Sequence, residues 1–164
     1  MLAKVINGGL PGVEIAALRA ARAAKLATGG WYLPGCAPMT IQLFGLRGHV
    51  NGGALDRLVT NIADAEATLA LAEDLDGAGV QFVRERCRLS TRPCLVLPLD
   101  ALRDTDHMYE QTVRQAVSFL QYITLGMIGY SITIHVTGAR EKDSPGVQEL
   151  TEPFLREVFD RLDP

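Results

Sequence analysis

Short apolar runs alternate along this chain with stretches of roughly ten to twenty residues that carry helical periodicity, the pattern of an α/β domain. Leu2–Ile6 reads as a first strand, closed by Asn7-Gly8-Gly9. A helix is predicted from about Gly12 to Leu26, rich in alanine (Ala16, Ala17, Ala20, Ala21, Ala23, Ala24), which favours helix and lets it approach a sheet closely. Gly29-Gly30-Trp31-Tyr32-Leu33 reads as a second short strand. Pro34–Gly53 shows no clear period and is expected to be a long loop, followed by a short helix near Ala54–Thr60. Ala67–Leu71 is a third strand and Gly77–Arg88 a helix. Pro93–Leu97, apolar on both parities, is expected as a buried fourth strand. A helix around Thr105–Tyr122 and a strand Tyr130–Val136 come next. The last helix is the clearest: Val147, Leu150, Phe154, Leu155, Val158, Phe159 and Leu162 make one apolar face, with Pro145 just ahead of it.

These elements predict a single domain over 1–164, a Rossmann-like three-layer sandwich around a mainly parallel sheet of about five strands. In such a fold ligands sit beyond the carboxyl ends of the strands, so the loops after strands one, three and five are the ones to inspect. The first, Asn7 to Val13, places Gly8, Gly9, Leu10, Pro11 and Gly12 where backbone N–H groups approach an anion at a helix N-terminus, or simply make a tight turn. The second, Asp74 to Val80, runs through Gly77 and Gly79 into a helix, with Asp74 and Asp76 as candidate caps. In the third, Thr137-Gly138-Ala139-Arg140-Glu141, Arg140 is the prime candidate for an oxyanion, because its planar fork donates two hydrogen bonds; the plainer alternative is a salt bridge to Glu141 or Glu149. Trp31, the one tryptophan, is either core or a stacking wall for a flat ligand.

Composition narrows the classes. Hydrophobic residues are 48% and charged residues 21%, which excludes a disordered chain. Sixteen Lys+Arg against nineteen Asp+Glu leave a net charge of −3, which argues against generic nucleic-acid or anionic-membrane binding. The longest apolar run, Phe119 to Val136, is interrupted by Gln121, Gly126, Gly129, Ser131 and His135, and is expected to be a helix end, a turn and a strand, not a membrane span. Cys36, Cys87 and Cys94 lack CxxC spacing and read as reduced thiols in a cytosol. The stretch from Met1 reaches Gly8 before an apolar signal region forms, so a cytoplasmic protein is expected. No GxSxG and no Walker-type lysine occur, and His49, His107 and His135 stand in no recognisable nucleophile motif.

Several motifs taken in order carry a resemblance. Val5-Ile6-Asn7-Gly8-Gly9-Leu10-Pro11-Gly12-Val13-Glu14, Gly29-Gly30-Trp31, Asn61 to Leu69, Arg92-Pro93-Cys94-Leu95-Val96, and Val136-Thr137-Gly138-Ala139-Arg140-Glu141 with Pro145-Gly146-Val147 are similar to motifs of the putative molybdenum carrier family. The resemblance runs from about residue 3 to residue 160. It implies a Rossmann-like homo-oligomer, dimer or tetramer, that binds molybdenum cofactor or molybdate as cargo without a redox or hydrolytic step of its own. The partner it implies is a small-molecule oxyanion or pterin. Leu10-Pro11 stand where the family has Gln-Thr, and Glu14 where it has Asp. The wider group includes lysine-decarboxylase-like phosphoribohydrolases, so a nucleotide-directed enzyme, with Glu85 in place of that group's glutamate, is the alternative. A relative that has lost its ligand and serves as a scaffold is a third.

Overall fold

The computed structural model describes residues 1–48, 52–104 and 107–162. In chain order the elements are β1 (Leu2–Ile6), α1 (Val13–Ala23), β2 (Ala27–Gly29), α2 (Pro38–Phe44), α3 (Ala54–Ala63), β3 (Ala67–Ala72), α4 (Ala78–Leu89), β4 (Cys94–Pro98), α5 (Asp100–Arg103), α6 (His107–Gly126), β5 (Ile132–Gly138) and α7 (Val147–Asp160). The five strands form one parallel sheet in the order β2-β1-β5-β3-β4. If the chain is read from β3 onward, with β1 and β2 following β5, this becomes the doubly wound order 2-1-3-4-5. Its switch point lies between β5 and β3, where the chain leaves toward opposite faces.

Residue alternation on the strands decides which face each helix covers. Ala67, Leu69 and Leu71 of β3, with Ile132, Ile134 and Val136 of β5, join the main core under α1, α6 and α7. Ala16, Ala17, Ala20 and Ala21 are fully buried, and such small side chains allow α1 the extensive packing it makes with α7. The opposite face carries the smaller cluster of Ile62, Val83 and Cys87, where α3 packs beside α4. α7 keeps its helix through Pro153, and its apolar face is buried as the periodicity predicts.

Several expectations are corrected. The second strand is Ala27–Gly29, not Gly29–Leu33. Gly30 turns the chain at φ +119°, and a Cβ there would meet the backbone of Asn7, so Trp31 is left bridging Arg47 outside the sheet. The expected long loop holds α2, opened by Pro38 at the helix start and closed by left-handed Gly45. β4 is the sheet edge and only Leu97 is fully buried, so its continuous apolarity does not mark a central strand; that place belongs to β3, buried throughout. The last strand runs to Gly138, two residues further than predicted. α6 extends to Gly126 and leaves Tyr122 and Leu125 exposed, followed by Ile128 and Tyr130. His49 and Thr105 lie outside the described residues. Among the described residues no helix is long and apolar enough to cross a membrane.

Candidate functional site

At the switch point a cavity of about 440 Å³ opens among the three loops singled out in the sequence. Leu10, Pro11 and Glu14 line it from the start of α1, Glu73, Asp74, Gly77, Gly79 and Val80 from the β3–α4 connection, and Thr137, Gly138, Arg140, Asp143 and Ser144 from the β5–α7 connection. Leu33, Leu58 and Val83 complete an aliphatic wall on the α3–α4 side. Of the candidate residues the structure thus gathers Leu10, Pro11, Gly77, Gly79, Thr137, Gly138 and Arg140 at one cavity.

The first glycine loop is built differently from an open anion cradle. Glu14, one residue into α1, turns its carboxylate back into the loop: Leu10 N–H donates to Oε2 at 3.0 Å and the Thr137 hydroxyl donates to Oε1 at 3.1 Å. Gly8 also lies close to this carboxylate: a Cβ there would stand 3.2 Å from Oε2. Gly9 N–H is held by Asn7 Oδ1, Gly12 N–H by Gln148 Oε1 and Val13 N–H by Ala139 O. The donors expected to face a ligand are therefore satisfied from within. Gly8 and Gly9 lie against Leu33, Leu46 and Cys36, and Gly12 against the Ala139 and Arg140 backbone, which explains why glycine is needed there: a Cβ would collide with each. Burial raises the Glu14 carboxyl above its ordinary range, against the opposing pull of the Leu10 and Gly8 N–H groups, the Thr137 hydroxyl and the Arg140 charge.

The second loop does present donors. Gly77 precedes α4 in an extended conformation with no side-chain cap, and the Asp74 carboxylate is turned to its own Asp76 N–H at 2.9 Å. The first-turn N–H groups of Ala78, Gly79 and Val80 have no protein acceptor among the described residues, and beside Gly79 lies open space. In the third loop, Glu141 caps α7 by accepting from Gly146 and Gln148 N–H, and so leaves Arg140 unpaired with it. Arg140 is exposed at the cavity rim, and its side chain makes no ion pair among the described residues.

Trp31 is outside the cavity. Its backbone N–H donates to Asn61, its indole N–H to Asp64 at 2.9 Å, and the Arg47 guanidinium stands 5.6 Å from its ring centroid. Glu85 is also elsewhere, exposed on α4 and paired with Arg88. His107 opens α6 on the surface. Cys36 is half-buried beside Gly9, its thiol pushed up to about 11 by burial. No cluster of three metal-ligating side chains occurs among the described residues.

Sequence reasoning passed over two groups. Glu14 was legible as a carboxylate in a helix's first turn, the place for a capping acid. Glu73 directly follows β3 and takes Arg103 through both carboxylate oxygens together with the Ser144 hydroxyl, tying the third loop to the second. These donors hold its carboxyl down at about 2.

Residues 5–159 match the model of the circularly permutated YpsA SLOG family. A solved structure of a putative molybdenum carrier protein from Syntrophus aciditrophicus SB superposes with a TM-score of 0.74, covering 96% of this chain and 94% of that one at 22% identity. That likeness establishes the fold, and the permuted strand order agrees with the family description. No curated protein matches the chain.

Proposed function

The chain belongs to the circularly permutated YpsA SLOG family, and from that premise we propose that it is a molybdenum carrier which holds molybdenum cofactor as cargo in the switch-point cavity and performs no chemistry on it. The observation that carries this reading is the pairing of an aliphatic wall with one uncapped helix N-terminus and one rim arginine in a single cavity. A phosphate fits the first-turn N–H groups of α4, where backbone donors and the helix dipole favour negative charge, and Arg140 closes over it. A flat pterin fits against Leu33, Leu58, Val80 and Val83. Its aminopyrimidinone edge offers adjacent N–H donors, which suit the carboxylates at the rim, Asp74 and Asp143.

Bare molybdate suits this lining less well. Glu14 occupies the first-loop donors, and Glu73, Asp74 and Asp143 surround what remains with negative charge. The cofactor, with its apolar and donor-bearing ring, is therefore the form of cargo we favour. The proposal also fits the neighbour described as a putative molybdenum carrier protein.

Elemental analysis of gently purified protein tests it, followed by loading with molybdenum cofactor and, separately, with molybdate. Molybdenum retained in proportion to protein is the expected result. Arg140→Ala should weaken retention about tenfold or more, the worth of one charge-assisted hydrogen bond, while leaving stability within about 0.5 kcal/mol. Gly79→Phe, built into open space, should block the cavity without unfolding the chain. Absence of molybdenum before and after loading, or retention indifferent to both substitutions, overturns the reading.

A further inference from the structure

At the end of the molecule opposite the cavity, where the strands begin, the chain passes from α6 into β5 through an apolar turn. Tyr122 and Leu125, near the end of α6, are 75% and 68% exposed, and Ile128 and Tyr130, in the turn itself, 80% and 69%. The turn is folded on itself: Met127 N–H donates to Thr124 O at 3.3 Å and Tyr130 N–H to Met127 O at 3.1 Å, through left-handed Gly129 at φ +88°. Met127 packs against the main core and anchors the projection. No Asp, Glu, Lys or Arg occurs between Arg114 and Arg140, so the projecting segment is uncharged throughout.

Beside this projection lies a groove of about 800 Å³. Leu2 of β1, Ala23 and Leu26 around the end of α1, and Phe159 and Leu162 around the end of α7 form its apolar walls, and Thr124 of α6 joins it to the turn. Ile132 N–H donates to Met1 O at 2.9 Å, which holds the start of β5 against the same rim. The charged residues of the groove, Lys25 and Asp160, are of opposite sign, so it carries no net charge.

Projection and groove are complementary in kind: one is convex and the other concave, and both are apolar and neutral. They stand side by side on one face, so a two-fold axis between them sets the projection of each copy over the groove of the other and closes the pair. The four projecting side chains expose roughly 500–600 Å², taking about 200 Å² for each. That equals the largest apolar patch of an ordinary monomer. With the groove walls the face reaches the roughly 800 Å² per partner that a stable interface buries.

We propose that this face is the interface of a closed homodimer, with the Leu125–Tyr130 turn of each copy seated in the groove of the other. A second copy is the occupant because the face is its own complement, and one association covers both the projection and the groove. The pairing uses no residue of the cavity lining, so it holds or fails independently of the cargo proposed above. Both cavities stay open, each at the end of its copy away from the contact.

Sedimentation velocity of the whole chain over a range of micromolar concentrations tests the pairing. The expected result is one species of twice the chain mass that dissociates reversibly on dilution. Ile128→Glu, at a position open to solvent in a single copy, should raise the dimer dissociation constant about a hundredfold or more by carrying a charge into an apolar groove. Ala23→Glu, exposed on the groove side, should do the same from the other half of the contact. Leu89→Glu changes a leucine 56% exposed on α4, across the sheet, and should leave the dimer intact. Circular dichroism of all three variants should match the unsubstituted chain. A monomer at every concentration, a dimer indifferent to Ile128→Glu or to Ala23→Glu, equal weakening by Leu89→Glu, or assemblies that keep growing with concentration would each overturn the proposal.

Discussion

Glu14→Gln asks the sharpest question of the site, because it replaces a buried carboxyl with a neutral group of the same shape. The amide oxygen can take the place of Oε2, accepting from Leu10 N–H, and the amide nitrogen that of Oε1, donating to the Thr137 hydroxyl, which rotates to accept. The second amide hydrogen finds no partner, so the substitution should cost about 1–3 kcal/mol, independent of pH, wherever wild-type Glu14 is protonated. Burial holds the folded-state pKa of Glu14 above its ordinary value of 4.5. Stability from such a group is fully present below the unfolded pKa and is lost as pH rises through the folded one. Between those two values wild type should lose up to about 1.4 kcal/mol per pH unit relative to Glu14→Gln. Urea unfolding at several pH values from 4 to 9, followed by Trp31 fluorescence and circular dichroism, gives the difference directly. Carboxylates held low, such as Glu73 at about 2, contribute in the opposite direction below 4.5 and cancel between the two proteins. Glu14→Ala is the contrast: it strands the Leu10 N–H at about 1–3 kcal/mol and leaves a void, a loss of about 3–5 kcal/mol. A difference between wild type and Glu14→Gln that is flat with pH would refute the reasoning. So would an amide variant destabilised by several kcal/mol at pH 8; Glu14 would then be a buried carboxylate that the loop needs charged.

Two further outcomes bear on the loops around the cavity. Gly138→Ala should cost about 3 kcal/mol or more, lowering Tm by about 6–12 °C, because a Cβ at φ +156° would stand 2.1 Å from the Leu71 carbonyl oxygen; a shift under a degree or two in a thermal melt would contradict that placement. Arg103→Ala should release Glu73 toward its ordinary value, removing stability that is present above pH 4.5 and lost as pH falls toward 2. Both partners are substantially exposed, so the loss should stay below about 1 kcal/mol, seen in denaturation at pH 7 and absent at pH 2.

The loops that line the cavity were legible in the sequence because they depend on local features. Glycine after a strand, a helix opening beyond it, and an arginine following the last strand are all written in neighbouring residues, and Leu10, Gly77, Gly79, Thr137 and Arg140 meet at one cavity. α2 was equally legible from Pro38 and Gly45, though the lack of periodicity concealed it. Other assignments needed the third dimension. Trp31 reads as a strand residue that is either core or a stacking wall because it is large and apolar, but Gly30 turns it toward Asn61 and Asp64. β4 reads as buried because it is apolar on both parities, and only strand order shows it to be a half-covered edge.

By itself the sequence determined the alternation of elements, the glycine turns at the carboxyl ends of the strands and the net acidic charge, because propensity, periodicity and composition are read without the fold. Only the tertiary structure decided which donors are spoken for. Glu14 finds Thr137, 123 residues away, and fills the first loop, whereas α4 is left with open N–H groups. The same folding brings Thr68 beside His135, 67 residues on, and Cys94 beside Thr68 in the sheet. A hydrogen bond saturates and a cavity has fixed walls, so whether a loop binds a ligand or its own side chain depends on distances that no local pattern encodes.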